Sequence, residues 1–165
     1  MVAVAKLLAR TERVRVGRRR PSPIIQSLTF GGYNKAFAPA RTEFDWLSRD
    51  TDEVDTYIAD TLCGFAVSTQ TWLDMLNALG RIANPDNVAR VPKDLPLYLF
   101  AGDQDPVGDN GKGMRKLHDA YRRAGLLDVR LELYPGGRHE MLNETNRQEV
   151  MADLIAWCDE KVAAL

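Results

Sequence analysis

Cysteine and histidine are scarce in this chain of 165 residues, with two of each. Cys63 and Cys158 lie far apart and share no metal-type spacing, so no Cys/His zinc site assembles from them. They read as two buried or half-buried thiols, their usage indicates a reducing compartment or nothing, and no metal or cofactor is expected. Long uncharged apolar runs are missing too. Nothing approaches the roughly 18 residues that a membrane-spanning helix needs. The apolar start, Met1 to Ala9, has no basic stretch before it and is interrupted by Lys6, which makes a poor secretory signal. A cytoplasmic protein without a transmembrane segment is the expectation. There is no glycine-rich phosphate loop, no dinucleotide fingerprint, no internal repeat and no low-complexity stretch. Ordinary apolar (45%) and charged (27%) fractions exclude collagen-like and wholly disordered readings, and the length suits a domain with a proper core.

Charge of one sign is unevenly spread although the net is −1. Residues 1–41 hold nine Lys/Arg against a single acid, Glu12, and six of the nine are arginines between Arg10 and Arg20. Such a cluster can attract nucleic acid, an anionic membrane face or an import receptor. No aromatic is interleaved to stack on bases, and the rest of the chain is acidic. A solvated helix end running into a loop is therefore favoured, with no nucleic-acid partner expected.

Val2 to Val14 carries helical periodicity that Gly17, Pro21 and Pro23 end. Phe30, Tyr33 and Phe37, three and four apart, fit one face of a short helix or turn. Arg41 to Asp50 reads as irregular. Asp50 or Thr51 caps a helix carrying Val54, Tyr57 and Ile58, and Ser68 or Thr69 opens another with Trp72, Leu73, Met75, Leu76 and Leu79 inward, fading near Asn84-Pro85. Beyond Pro92 the pattern changes. Leu95 to Ala101 is a continuous apolar run, as a strand buried on both faces shows. Gly111 to Arg123 is an amphipathic helix ended by Gly125. Val129 to Tyr134 alternates as a second strand, and a last helix capped by Thr145 or Asn146 turns Val150, Leu154, Ile155 and Trp157 inward. Strand, helix, strand, helix with short joints predicts an α/β fold with a parallel sheet. A helical region (1–90) is followed by two β/α units (91–165).

In a parallel sheet, functional side chains gather at the carboxyl ends of strands. The first strand ends in Gly102-Asp-Gln-Asp-Pro106 and the second in Pro135-Gly-Gly-Arg-His139. Parallel neighbours place both turns on one edge, so an Asp and a His can meet there. An acid that orients a histidine and stabilises its imidazolium is half of a nucleophile–base–acid triad. Asp105, deeper in its turn and held extended before Pro106, is preferred over Asp103, which suits turn chemistry. His139 arrives through a tight Gly-Gly approach, whereas His118 lies mid-helix and reads as structural or exposed. The partner nucleophile is missing. None of Ser22, Ser27, Ser48 and Ser68 stands in a Gly-x-Ser-x-Gly frame, and neither cysteine does.

The stretches Phe30-Gly-Gly-Tyr-Asn-Lys-Ala-Phe37, Arg41-Thr-Glu-Phe-Asp-Trp-Leu-Ser-Arg-Asp50, Cys63-Gly-Phe65, Ala101-Gly-Asp-Gln-Asp-Pro-Val107 and Tyr134-Pro-Gly-Gly-Arg-His-Glu-Met-Leu-Asn-Glu144 resemble the C-terminal half of an α/β-hydrolase. The group is the lysophospholipase/monoacylglycerol lipase one, the serine aminopeptidase-like hydrolases. The resemblance implies a helical lid over residues 1–90 and the final β/α units of the hydrolase core after it. It also implies Asp105 as triad acid and His139 as general base. The lid would cover an acyl or glyceryl substrate, with Phe30, Tyr33, Phe37, Phe44 and Trp46 as its lining.

The departure from that family is large. The half that carries most of the sheet, the oxyanion hole and the serine has no counterpart in these residues, so a two-stranded sheet with an exposed edge and much apolar surface is expected. The expected explanation is a truncated or split gene product, or a separate downstream reading frame, and the chain alone is expected not to hydrolyse esters at a useful rate. Activity would need a separate chain carrying the serine half. The alternative is a non-catalytic interaction module or a remnant of such a hydrolase.

Overall fold

A computed structural model describes residues 2–163. The first stretch is helical: α1 (Val2–Val16), α2 (Pro23–Thr29), α3 (Thr51–Ala59), α4 (Thr69–Ile82) and the short α5 (Pro85–Val88). Next come β1 (Leu97–Gly102), α6 (Lys112–Arg123), β2 (Val129–Tyr134) and α7 (Arg147–Val162), with 3-10 turns at Tyr33–Phe37 and Met141–Asn143. Among the described residues, no helix is long and apolar enough to cross a membrane.

The helix starts follow cap chemistry. Ser22 accepts from the Ile25 N–H with Pro23 in the first turn, Asp50 accepts from Asp52, and Ser68 accepts from Thr71. Asn146 precedes α7 without bonding the backbone there; its amide donates instead to Glu149. α6 stops where Gly125 takes φ +92°, the left-handed backbone that a helix end favours in glycine. Phe30, Tyr33 and Phe37 do not share a helix face. The chain turns at Gly31, where a Cβ would meet the Ser27 carbonyl oxygen at 2.6 Å, so Phe30 ends α2 and the other two belong to the 3-10 turn.

α1 packs along α4, and Ala9, Ile25, Trp72 and Leu73 form the core between α1, α2 and α4. Each large apolar side chain buried this way contributes about 1.5–3 kcal/mol. Glu12, the one acid among the early arginines, is buried in α1. It accepts from Arg15 and, at 2.5 Å, from the Ser22 hydroxyl, and these bonds hold its carboxyl down at about 2. Arg10, Arg15 and Arg18 to Arg20 are exposed, as the solvated-end reading requires.

The apolar stripes read from periodicity are wider than the surfaces that cover them. In α7, Val150 is buried and Leu154 and Trp157 are half-buried, at positions i, i+4 and i+7. Ile155 lies about 100° round the helix from Leu154 and is 60% exposed, not inward. Ile58, Met75 and Leu79 are exposed as well, although Leu79 stands seven residues from buried Trp72 on the same side of α4. β1 is not buried on both faces. It is half-buried from Leu97 to Phe100 and buried only at Ala101 and Gly102, because among the described residues the sheet holds two strands.

Those strands run parallel in register, Leu97 opposite Val129 through Gly102 opposite Tyr134. Their last residues meet Met141 and Val150, which with Phe100 and Tyr134 form a second core. At this end the backbones all but touch: a Cβ on Gly102 would lie 2.0 Å from the Gly137 carbonyl oxygen. Backbone stands on both sides of that contact, so nothing can yield cheaply. Gly102→Ala should therefore lower the unfolding free energy by about 3 kcal/mol, read from urea denaturation; an unchanged midpoint would contradict the close approach.

Candidate active site

The two turns that follow β1 and β2 are stitched together by backbone. Asp103 N–H donates to the Tyr134 carbonyl (3.1 Å), Gln104 N–H to that of Gly137 (2.9 Å), and Gly136 N–H to Asp103 Oδ1 (2.7 Å). Asp103 is spent on this stitching. Asp105, 7% exposed, accepts from Val107 N–H at 2.9 Å and faces the imidazole. His139 Nδ1 lies 3.2 Å from each carboxylate oxygen of Asp105, and a carboxylate only accepts, so the proton sits on Nδ1. Nε2 is left as the nitrogen free for proton exchange. Of the four sequence candidates at the strand ends and on α6, the structure brings together Asp105 and His139. His118 pairs with its neighbour Asp119 elsewhere.

The hydrogen bond to Asp105 raises the His139 pKa above its ordinary 6.5, against partial burial, which lowers it. Tyr33 is pushed up by burial and by the nearby Asp105 charge.

A second set of contacts was not legible as functional. Residues 45–50, irregular in sequence and in structure, lie along the loop that carries His139. His139 N–H donates to the Trp46 carbonyl (3.4 Å) and Glu140 N–H to that of Leu47 (2.8 Å). The Arg138 guanidinium donates to the carbonyls of Asp45 and Ser48 and lies 4.1 Å from the Phe37 ring centre. Behind them Glu144, fully buried, accepts from the backbone N–H groups of Arg138 (2.9 Å), Arg49 (3.1 Å) and Thr145 (2.9 Å) and from Arg49 Nε (2.9 Å). Burial would raise its pKa, but these donors outweigh it and hold Glu144 below the usual carboxylate range. The signal was available: Arg49, Arg138 and Glu144 all stand inside the quoted motifs.

The aromatic candidates divide. Phe30, Phe44 and Trp46 line an open cavity of about 730 Å³, together with Tyr57, Cys63 and Phe65. Trp46 joins this cavity to the Asp–His pair, its ring centre 5.2 Å from that of His139. Tyr33 and Phe37 do not line it: Tyr33 packs behind Trp46 (5.0 Å) and Phe37 lies against Arg138. Ser22 bonds Glu12, Ser48 bonds the Asn143 carbonyl, Ser68 caps α4 and Ser27 lines the cavity, and among the described residues no serine hydroxyl is hydrogen-bonded to His139.

Known proteins resemble this chain in fold and in sequence. A solved carboxyl esterase from Bacillus coagulans, highly thermostable and in complex with glycerol, superposes with a TM-score of 0.85 at 23% identity, over 96% of this chain and 52% of its own. A lipase in its open form superposes at 0.75 with 30% identity, over 91% and 49%. A monoacylglycerol lipase of Mycolicibacterium smegmatis is 33% identical over 116 residues, which are 68% of this chain and 38% of that protein. The chain thus spans about two fifths to one half of the length of these relatives. The fold is a partial α/β-hydrolase fold, helices followed by a small parallel sheet. Because the family model for serine aminopeptidase, S33 matches residues 2–146, the chain belongs to that lipase- and esterase-type family of α/β-hydrolases.

Proposed function

We propose that this chain supplies the acid and the base of a serine ester hydrolase, and that the nucleophile and oxyanion hole come from outside its 165 residues. The observation that carries this reading is the Asp105–His139 hydrogen bond at the carboxyl ends of two parallel strands. In the reaction, His139 Nε2 takes the proton of a serine hydroxyl as it attacks the acyl carbonyl. The same nitrogen then protonates the leaving alcohol, and water repeats the cycle on the acyl-enzyme. Asp105 stays ionised, keeps the Nδ1 proton in place and stabilises the imidazolium. The substrate is an acyl ester with a lipid-like chain, a monoacylglycerol or a lysophospholipid. The apolar cavity under Phe30, Phe44 and Trp46 suits the acyl part, and the name of the mycobacterial relative supports the same class. The helices before β1 act as the lid, and residues 45–50 as the part of it that rests on the base.

The folded chain alone should give no adduct with a fluorophosphonate probe by intact mass. When it replaces the matching segment of the mycobacterial relative, it should restore monoacylglycerol hydrolysis. In that chimera Asp105→Asn should cost on the order of 10^4 in kcat and His139→Ala on the order of 10^6. A stoichiometric adduct on the chain alone, or undiminished activity in both variants of an active chimera, overturns the assignment.

The pH dependence gives a separate check. A general base must be neutral, so activity in the chimera should fall as pH drops through the His139 pKa, and that midpoint should lie above 6.5 because Asp105 favours the imidazolium. The stability sign is opposite. A pKa raised by folding stabilises the protein below 6.5, and that contribution fades as pH rises through the folded value. An acid limb centred below 6.5 contradicts the reading.

A further inference from the structure

We infer that Glu144 is a positioning residue for His139, acting through the loop that holds the imidazole against Asp105; the inference rests on the reading of His139 as the base. Glu144 touches neither the imidazole nor Asp105 through any hydrogen bond. It is nonetheless fully buried, and the donors that converge on it come from both sides of the site. Oε1 accepts from the N–H of Arg138, the residue just before His139, and from the N–H of Arg49. Oε2 accepts from Arg49 Nε and from Thr145 N–H. One carboxylate therefore ties the His139 loop to residues 45–50.

The tie matters because residues 45–50 form the other wall of the base. The Trp46 carbonyl takes the His139 N–H, the Trp46 ring lies against the imidazole, and the Leu47 carbonyl takes the N–H of Glu140. Arg138 adds the same link in reverse, its side chain reaching back to the Asp45 and Ser48 carbonyls. His139 is thus clamped between Asp105 and a segment far away in sequence, and Glu144 is the acceptor on which that clamp closes. Only an ionised carboxylate accepts all of these donors. The isosteric amide of glutamine turns an NH2 against N–H groups and leaves buried donors unpaired.

The two histidines make this readable without any substrate. Charged or titratable groups facing the imidazole are Asp105 from the β1 turn, Glu140 from its own loop and Tyr33, which faces Asp105 from the lid side; Trp46 is uncharged. In proton NMR titration of the 165-residue chain, with His118 as internal control, Glu144→Gln should lower the His139 midpoint by about half a pH unit or more, as the bond to Asp105 loosens, and leave His118 unmoved. Arg49→Ala removes the Nε donor and keeps the backbone ones, so it should shift His139 in the same direction by less. It serves as the readout if Glu144→Gln fails to fold.

A merely structural Glu144 gives a lower Tm with the His139 midpoint at the parent value in every folded variant, and that result overturns the inference. Because no nucleophile or ester enters the measurement, the clamp and the hydrolase reading are tested separately: an active chimera together with an unshifted His139 midpoint in the folded Arg49→Ala chain refutes only the clamp.

Discussion

The meeting of two backbones at Gly102 and Gly137 is the constraint on which the site depends. Parallel pairing of β1 and β2 delivers both carboxyl ends to one edge, but pairing alone leaves the turns free to diverge. The absence of a side chain at Gly102 lets the second turn fold over the first, and Asp103 and Gln104 then stitch the two together. Asp105 and His139, 34 positions apart in the chain, reach each other as a consequence. The free energy spent holding a carboxylate buried at 7% exposure is offset by the imidazole and by the Val107 N–H.

Around that pair the molecule has an apolar side and a polar side. The apolar side is the Phe30, Tyr33 and Trp46 stack, which continues the α1–α2–α4 core towards the imidazole and opens into the cavity. The polar side is the Arg49–Glu144–Arg138 cluster, whose charges are satisfied almost wholly by backbone and by one another. An imidazole between an apolar wall and an anchored loop is partly desolvated and fixed in orientation, and the proposed proton transfer requires both.

Much of this was legible in the sequence because the signals were local. The alternation of Val129 to Tyr134, the apolar run before Gly102 and the cap at Ser68 each rest on neighbouring residues. Strand ends followed by Asp-Gln-Asp-Pro and Gly-Gly-Arg-His pointed to the pair, since topology converts two short turns into one edge. What failed was set by distant packing. Ile155 is apolar yet faces outward because it lies one residue off the α7 stripe. The burial expected for β1 needs neighbours on its other edge, and sequence pattern carries no count of them. The Glu144 clamp is not set by neighbouring residues: Arg49, Arg138 and Glu144 stand inside the motifs, but Glu144 and Arg49 lie 95 positions apart.

The site stands or falls on Asp105 holding the Nδ1 proton of His139. The direct measurement is the low-field proton spectrum of the folded chain near pH 5, where the imidazolium is formed. A strongly deshielded Nδ1–H resonance, present in the parent and absent from Asp105→Asn, is the predicted result. A spectrum without that resonance in the folded parent, or one in which it survives Asp105→Asn, would contradict the site at its centre.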